Sequence, residues 1–128
     1  MKMVFVDIDG TLYKDNEPIS SLNKEALLRF QQAGGKVVYC TGRHILEMGK
    51  ILMHDQYPFD YLILNNGGTI LDAHKHVLYD KHIEASIGLE ILKWGLEENM
   101  HVYMCDGKVS YGYFDHQTYL HSDFGDQP

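Results

Sequence analysis

Residues 3–11 read Met3-Val4-Phe5-Val6-Asp7-Ile8-Asp9-Gly10-Thr11. An unbroken apolar run of this length is the pattern of a strand in a parallel sheet, covered on both faces. The run ends in Asp-x-Asp-Gly-Thr, which sets the Asp7 and Asp9 carboxylates close together at a strand end. Two such groups repel unless a cation or a division of labour relieves them. Gly10 lets the following turn close and lets a ligand approach, and amides in such a turn can point at an anion. One carboxylate can then attack phosphorus while the other passes its proton to the leaving oxygen. Magnesium would offset the repulsion between carboxylate and phosphate. Taken alone, the pair reads equally well as an acidic turn that ends a strand.

Outward from this stretch the pattern repeats. Ser20 is placed to cap a helix running to about residue 33, with Leu22, Ala26, Leu27, Phe30 and Ala33 on one face. Gly34-Gly35 stops it. A second buried-type strand, residues 37–40, runs into Thr41-Gly42-Arg43. A second helix follows, with Ile45, Met48 and Leu52 on one side, and after Pro58 a third strand, Tyr61 to Leu64, runs into Asn65-Asn66-Gly67-Gly68. Strand, helix, strand, helix, strand at this spacing predicts an α/β fold with a parallel sheet and right-handed crossovers. Ligands in such sheets sit at the carboxyl ends of the strands. A hydroxyl, a free amide and a guanidinium at 41–43 suit phosphate oxygens. Each later loop is ambiguous alone: Thr-Gly can simply cap a helix, and Asn66-Gly67 can simply turn. The weight lies in all three arriving in order.

Beyond residue 68 the pattern changes. Residues 69–72 and 77–80 predict a hairpin turning near 73–76. A helix carries Ile83, Ile87, Ile91 and Trp94 at helical spacing, read as its core face. Residues 101–105 and 108–114 predict two more strands joined by an Asp106-Gly107 turn. A boundary near residue 80 divides the chain into 1–80 and 81–128.

Composition narrows the class. The 128 residues carry a formal net charge of −7. That argues against nucleic acid or an anionic membrane as partner, since both reward a basic surface. No apolar run approaches the ~20 residues of a membrane helix. Cys40 and Cys105 lie far apart and form no metal-type pair, which reads as a reducing, cytoplasmic setting.

The motif set resembles the haloacid dehalogenase-like (HAD) phosphatase superfamily, and within it the Cof-type sugar-phosphatase branch. The matching text is Val4 through Leu12, Val37 through Arg43, and Asn66-Gly67-Gly68. The resemblance implies a Rossmann-like core followed by an α/β cap. It implies Asp7 as the nucleophile that forms an aspartyl-phosphate, and Asp9 as general acid and then base. It implies Mg²⁺ held by the Asp7 carboxylate and the Asp9 backbone carbonyl. Gly10, Thr41 and Gly42 would bind the transferring phosphoryl group, with Arg43 and Asn66 facing the substrate or bracing the site. The expected reaction is hydrolysis of a small phosphate monoester, a sugar phosphate or similar metabolite. The alternatives are a non-catalytic module that binds phosphate or a protein, and a phosphotransferase or mutase.

The family also carries a lysine motif and a second acidic motif after its cap. Lys93 and Lys108 fall in cap-like elements, and Gly125-Asp126 has no buried strand before it. Residues 1–128 are therefore expected to hold the front half of the core and the opening of the cap, with weak turnover on their own. The first strand is expected to become an edge, open to pairing with a second copy. Among weaker signals, Asp72, His74 and His76 read as a solvated turn rather than a metal site, and His44 as a residue that opens the second helix. Cys40 reads as a small core residue. Tyr103, Tyr111, Tyr113, Phe114 and Tyr119 read as cap core, against a partner-facing patch.

Overall fold

In the computed structural model, residues 1–14, 17–55, 58–105, 110–114 and 117–121 are described. Packing divides the chain into two units, Met1–Lys81 and His82–Pro128. The Asp106-Gly107 turn, Lys108 and Gly125-Asp126 lie outside the described residues, as do the side chains of Tyr111, Tyr113, Phe114 and Tyr119.

The first unit is a five-stranded sheet in the order β1 (Met3–Asp7), β2 (Lys36–Cys40), β3 (Tyr61–Leu64), β4 (Thr69–Asp72) and β5 (Val77–Asp80). Strands β1, β2 and β3 are parallel; β4 and β5 add the expected hairpin antiparallel to β3. Helices α1 (Ser21–Gln32) and α2 (Ile45–Asp55) connect the parallel strands.

Strand β2 is the centre of the core. Val37, Val38 and Tyr39 are buried, and the Tyr39 hydroxyl, which could not be left unpaired there, donates to the Pro58 carbonyl at 2.9 Å. Leu62, Leu64, Ile8, Met48 and Ile51 close around them. Asp60 clamps the start of β2. Its carboxylate accepts from the Val37 amide at 2.9 Å, Lys36 Nζ at 2.7 Å and Gln31 Nε2 at 2.8 Å, so it ties the end of α1 to the sheet. Burial works to raise its pKa, but these donors outweigh it and hold Asp60 ionised more firmly than usual.

Helix α1 begins as its sequence predicts, with the Ser20 hydroxyl accepting from the Asn23 amide at 3.2 Å. Its predicted apolar face is used only in part. Leu27 and Phe30 pack on the core, while Leu22 is exposed. At the exit, a Cβ on Gly35 would lie 2.3 Å from Phe30 Cε1, so a side chain there would have to displace that ring.

Two expectations about burial are corrected. The first strand is not covered on both faces: β1 pairs only with β2 in the sheet order, and Phe5 is 60% exposed. A continuous apolar run specifies what a strand prefers, not what lies beside it. In the second unit, α3 (Ala85–Glu97) starts after Ile83, and Ile87, Ile91 and Trp94 do not form its buried face; all are exposed. The helix packs instead through Gly88 and Gly95 against β6 (Val102–Cys105). A Cβ on Gly88 would meet Met104 Cε at 3.1 Å, and one on Gly95 would meet Val102 Cγ2 at 2.4 Å. Close approach, not side-chain hydrophobicity, selects the contact face. Strand β6 pairs with β7 (Ser110–Phe114), and β7 with β8 (Gln117–His121), which the sequence pattern did not single out.

Candidate active site

The parallel ladders bring three strand ends level. Asp7 is the register partner of Cys40, and Cys40 of Ile63, so the loops that follow leave one edge of the sheet together. The loop after β1 closes at once. The Ile8 carbonyl accepts the amides of Thr11, Leu12 and Tyr13, and the Gly10 amide donates to the Tyr13 carbonyl at 2.8 Å. Gly10 has φ +79°, a conformation that a side chain disfavours. Ile8 and Leu12 are buried beneath, which leaves Asp7, Asp9 and Thr11 facing out. The Thr11 hydroxyl donates to Asp7 Oδ2 at 3.0 Å.

The second loop is tied to the third. The Thr41 amide donates to the Ile63 carbonyl at 3.0 Å, the Asn65 amide to the Arg43 carbonyl at 3.0 Å, and the Asn66 amide to the Thr41 carbonyl at 3.2 Å. Asn65 and Asn66 both take positive φ, 51° and 54°, where asparagine is among the few side chains tolerated. That tight turn sets the Asn66 carboxamide against Gly42. Thr41 is buried, and its Oγ1 accepts the Arg43 amide at 3.1 Å. His44 opens α2: its amide is accepted by Glu47 Oε2 at 3.2 Å, the reaching-back half of a capping box.

Across these loops, Asp9 is bound by both Thr41 and Arg43. Arg43 Nη2 lies 2.7 Å from Asp9 Oδ1, and Nε lies 3.0 Å from each oxygen. Thr41 Oγ1 donates to Asp9 Oδ2 at 3.3 Å. The Arg43 hydrogen bonds, only partly opposed by burial, hold the Asp9 carboxyl below the usual carboxylate range. Arg43 also lies over the Tyr13 ring, 5.6 Å from its centroid.

Of the residues predicted from sequence, Asp9, Thr41 and Arg43 are thus in contact, and Asn66 abuts Gly42. Gly10 shapes the first turn. Asp7 stands at the same edge, with its bond to Thr11. Thr11 and Tyr13 were not singled out; Thr11 stands within the quoted motif, whereas nothing local to Tyr13 signals that an arginine thirty positions on will cover it. Cys40 has its thiol pushed up by burial and by the neighbouring Asp7 charge, which disfavours the thiolate. Asp72, His74 and His76 form a closed turn in which Asp72 accepts both histidine amides, at 2.8 and 2.9 Å. Among the described residues no group of three acidic, histidine or cysteine side chains could hold a metal, and no helix is long and apolar enough to cross a membrane.

Comparison with known proteins identifies the family. The sequence profile of the haloacid dehalogenase-like hydrolases matches residues 4–127. The chain belongs to this family. A curated relative, the HMP-PP phosphatase of Yersinia pestis, is 32% identical over 108 residues, covering 83% of this chain and 39% of its own length. A haloacid dehalogenase-like hydrolase from B. subtilis superposes with a TM-score of 0.79 at 28% identity, covering 86% of this chain and 38% of that one. The subclass IIB sugar phosphatase BT4131 shares the fold, with a TM-score of 0.71 at 24% identity over 86% of this chain and 43% of its own. The chain therefore spans about two fifths of the HAD relatives it matches.

Proposed function

We propose that this chain carries the nucleophile-bearing part of a Mg²⁺-dependent phosphatase acting on a small phosphorylated metabolite. The observation that carries the reading is the level register of the strand ends, which gathers Asp7, Asp9, Thr41 and Arg43 at one sheet edge. The family match and the names of the relatives support phosphate-ester hydrolysis, and the phosphatases among them suggest a sugar phosphate or a phosphorylated metabolite of similar size. In this reading Asp7 attacks phosphorus and becomes an aspartyl-phosphate. Asp9 gives a proton to the leaving oxygen and takes one from the water that cleaves the intermediate. Thr41 and the Gly42 amide hold the phosphoryl oxygens, and Asn66 braces Gly42. Residues 1–80 form the core portion and 81–128 open the cap, in a reducing, cytoplasmic setting that suits two cysteines not joined in a disulfide.

The donor set suits magnesium. The Asp9 side chain is engaged by Arg43, which leaves the Asp7 carboxylate and the Asp9 backbone carbonyl as hard oxygen ligands. Few protein ligands, with water and substrate oxygens completing the shell, is the habit of Mg²⁺. When bound, it would screen the charge between Asp7 and the incoming phosphate.

Beryllofluoride, a mimic of the phosphoryl group on a carboxylate, tests the reading without requiring turnover. Fluorine NMR of the chain with beryllofluoride and Mg²⁺ is expected to show a bound signal that Asp7→Asn abolishes. A signal that persists in Asp7→Asn, or no bound signal, overturns the assignment of Asp7.

A further inference from the structure

Two donors at the proposed phosphate site already hold an anion. The Thr41 hydroxyl and the Arg43 guanidinium both bind one anion, the Asp9 carboxylate, at 3.3 Å and 2.7 Å. Asp9 is also the group that the proposed reaction uses as its acid, and both of its carboxylate oxygens are engaged by the guanidinium. From this conflict we infer that Asp9 is an internal stand-in for the phosphoryl group: it occupies the Thr41–Arg43 donor pair until an incoming phosphate takes those donors and releases it. This deepens the phosphatase reading and rests on it.

Three features make the exchange feasible. The pair is open to water, with Arg43 31% and Asp9 46% exposed at the side chain, and an ion pair in that setting is weak enough for a dianion to displace. The guanidinium offers a planar fork of donors that fits phosphate as well as carboxylate. Tyr13 supports the guanidinium from its face, and the Arg43 amide is pinned to Thr41 Oγ1. Neither contact uses the edge that Asp9 occupies, so the arginine can change its anion without leaving its seat. The order of events follows: Asp9 becomes available only after a phosphate has arrived, which keeps the acid from acting in an empty site.

The chain has only two arginines, Arg29 and Arg43, so their side-chain Nε–H signals form a two-peak nitrogen NMR spectrum with a built-in reference. Arg29 lies on α1, far in sequence from the site, paired only loosely with Glu25 at 3.6 Å. Inorganic phosphate is titrated into chelator-treated protein. The Arg43 signal is expected to move saturably, together with the Thr41 and Gly42 amides, while Arg29 stays fixed. Asp9→Asn is expected to tighten phosphate binding about fivefold more when Arg43 is present than in an Arg43→Gln background, the excess measuring the exchange. If the Thr41 and Gly42 amides move while Arg43 keeps its signal, and Asp9→Asn gains nothing extra from Arg43, phosphate binds but the stand-in role is overturned. If no amide at 41 or 42 moves, the phosphate assignment fails and the inference falls with it.

Discussion

The Asn66 carboxamide stands against the bare α-carbon of Gly42, close enough that a Cβ there would lie 3.1 Å from Oδ1. The second and third loops therefore meet closely at Gly42, where a methyl group would press on the Asn66 carboxamide. Gly42→Ala is expected to displace Asn66 by a few tenths of an ångström and to crowd the Gly42 amide. Inorganic phosphate should bind about tenfold more weakly, or ~1.4 kcal/mol. Thermal stability should change by less than ~1 kcal/mol, since the residue is exposed. Calorimetric titration and a melting curve check the two halves separately.

Asn66 separates backbone from side chain. Its φ of 54° is left-handed. Asn66→Ala places a residue there that disfavours the conformation, and is expected to cost about 1 kcal/mol. Asn66→Gly removes the same carboxamide at no steric cost in that region, and should retain most of the stability. Equal melting temperatures for the two variants would show that the turn is not set by this dihedral angle.

Asp60 gives the acid limb of stability. Its folded-state pKa lies below the ordinary 3.8, so the unfolded chain binds the proton more tightly. The stabilisation is therefore complete above about pH 4 and is lost as pH falls through the folded value. Asp60→Asn is expected to cost ~1 kcal/mol at neutral pH: one amide oxygen can still accept from Val37 and Gln31, which share Oδ2, but without the charge that strengthens both bonds, and the Lys36 partner at Oδ1 adds little because it is 39% exposed and screened. Urea denaturation between about pH 7 and about pH 2 should show the gap between wild type and variant closing toward acid.

The glycine contact on α3 predicts a compensating pair. Gly95→Ala forces a methyl to within 2.4 Å of Val102 Cγ2 and is expected to destabilise the second unit by ~1–3 kcal/mol. Val102→Ala in the same chain removes the opposing atom and should restore part of the loss. Hydrogen exchange at the β6 amides reads both changes.

Much of the first unit is legible from its sequence because its signals are local. The apolar runs at Tyr61 to Leu64 and 37–40, the Ser20 cap and the Gly34 stop each specify one element without reference to another. What was not legible depends on neighbours. The spacing of Ile87, Ile91 and Trp94 reports an apolar stripe, but contact was decided by how near Gly88 and Gly95 let β6 approach. The run at Met3 to Val6 says nothing of whether a strand lies on its outer side. In the site, the residue types were readable at Asp9, Thr41 and Arg43, but their mutual bonds were not. Arg43 and Asp9 are separated by 34 positions, and only the packed sheet decides that they meet.

The level strand ends set a tolerance for the chemistry. A slip of one residue along β1 would carry Asp7 about 3.3 Å and turn its carboxylate to the opposite sheet face. What prevents that slip is not at the site. It is the packing of Val4 and Val6 of β1 against the interior around Val37, Tyr39 and Leu62, which a one-residue slip would turn outward. Damage to that interior should thus be felt first as misaimed acidic groups, while the chain remains folded.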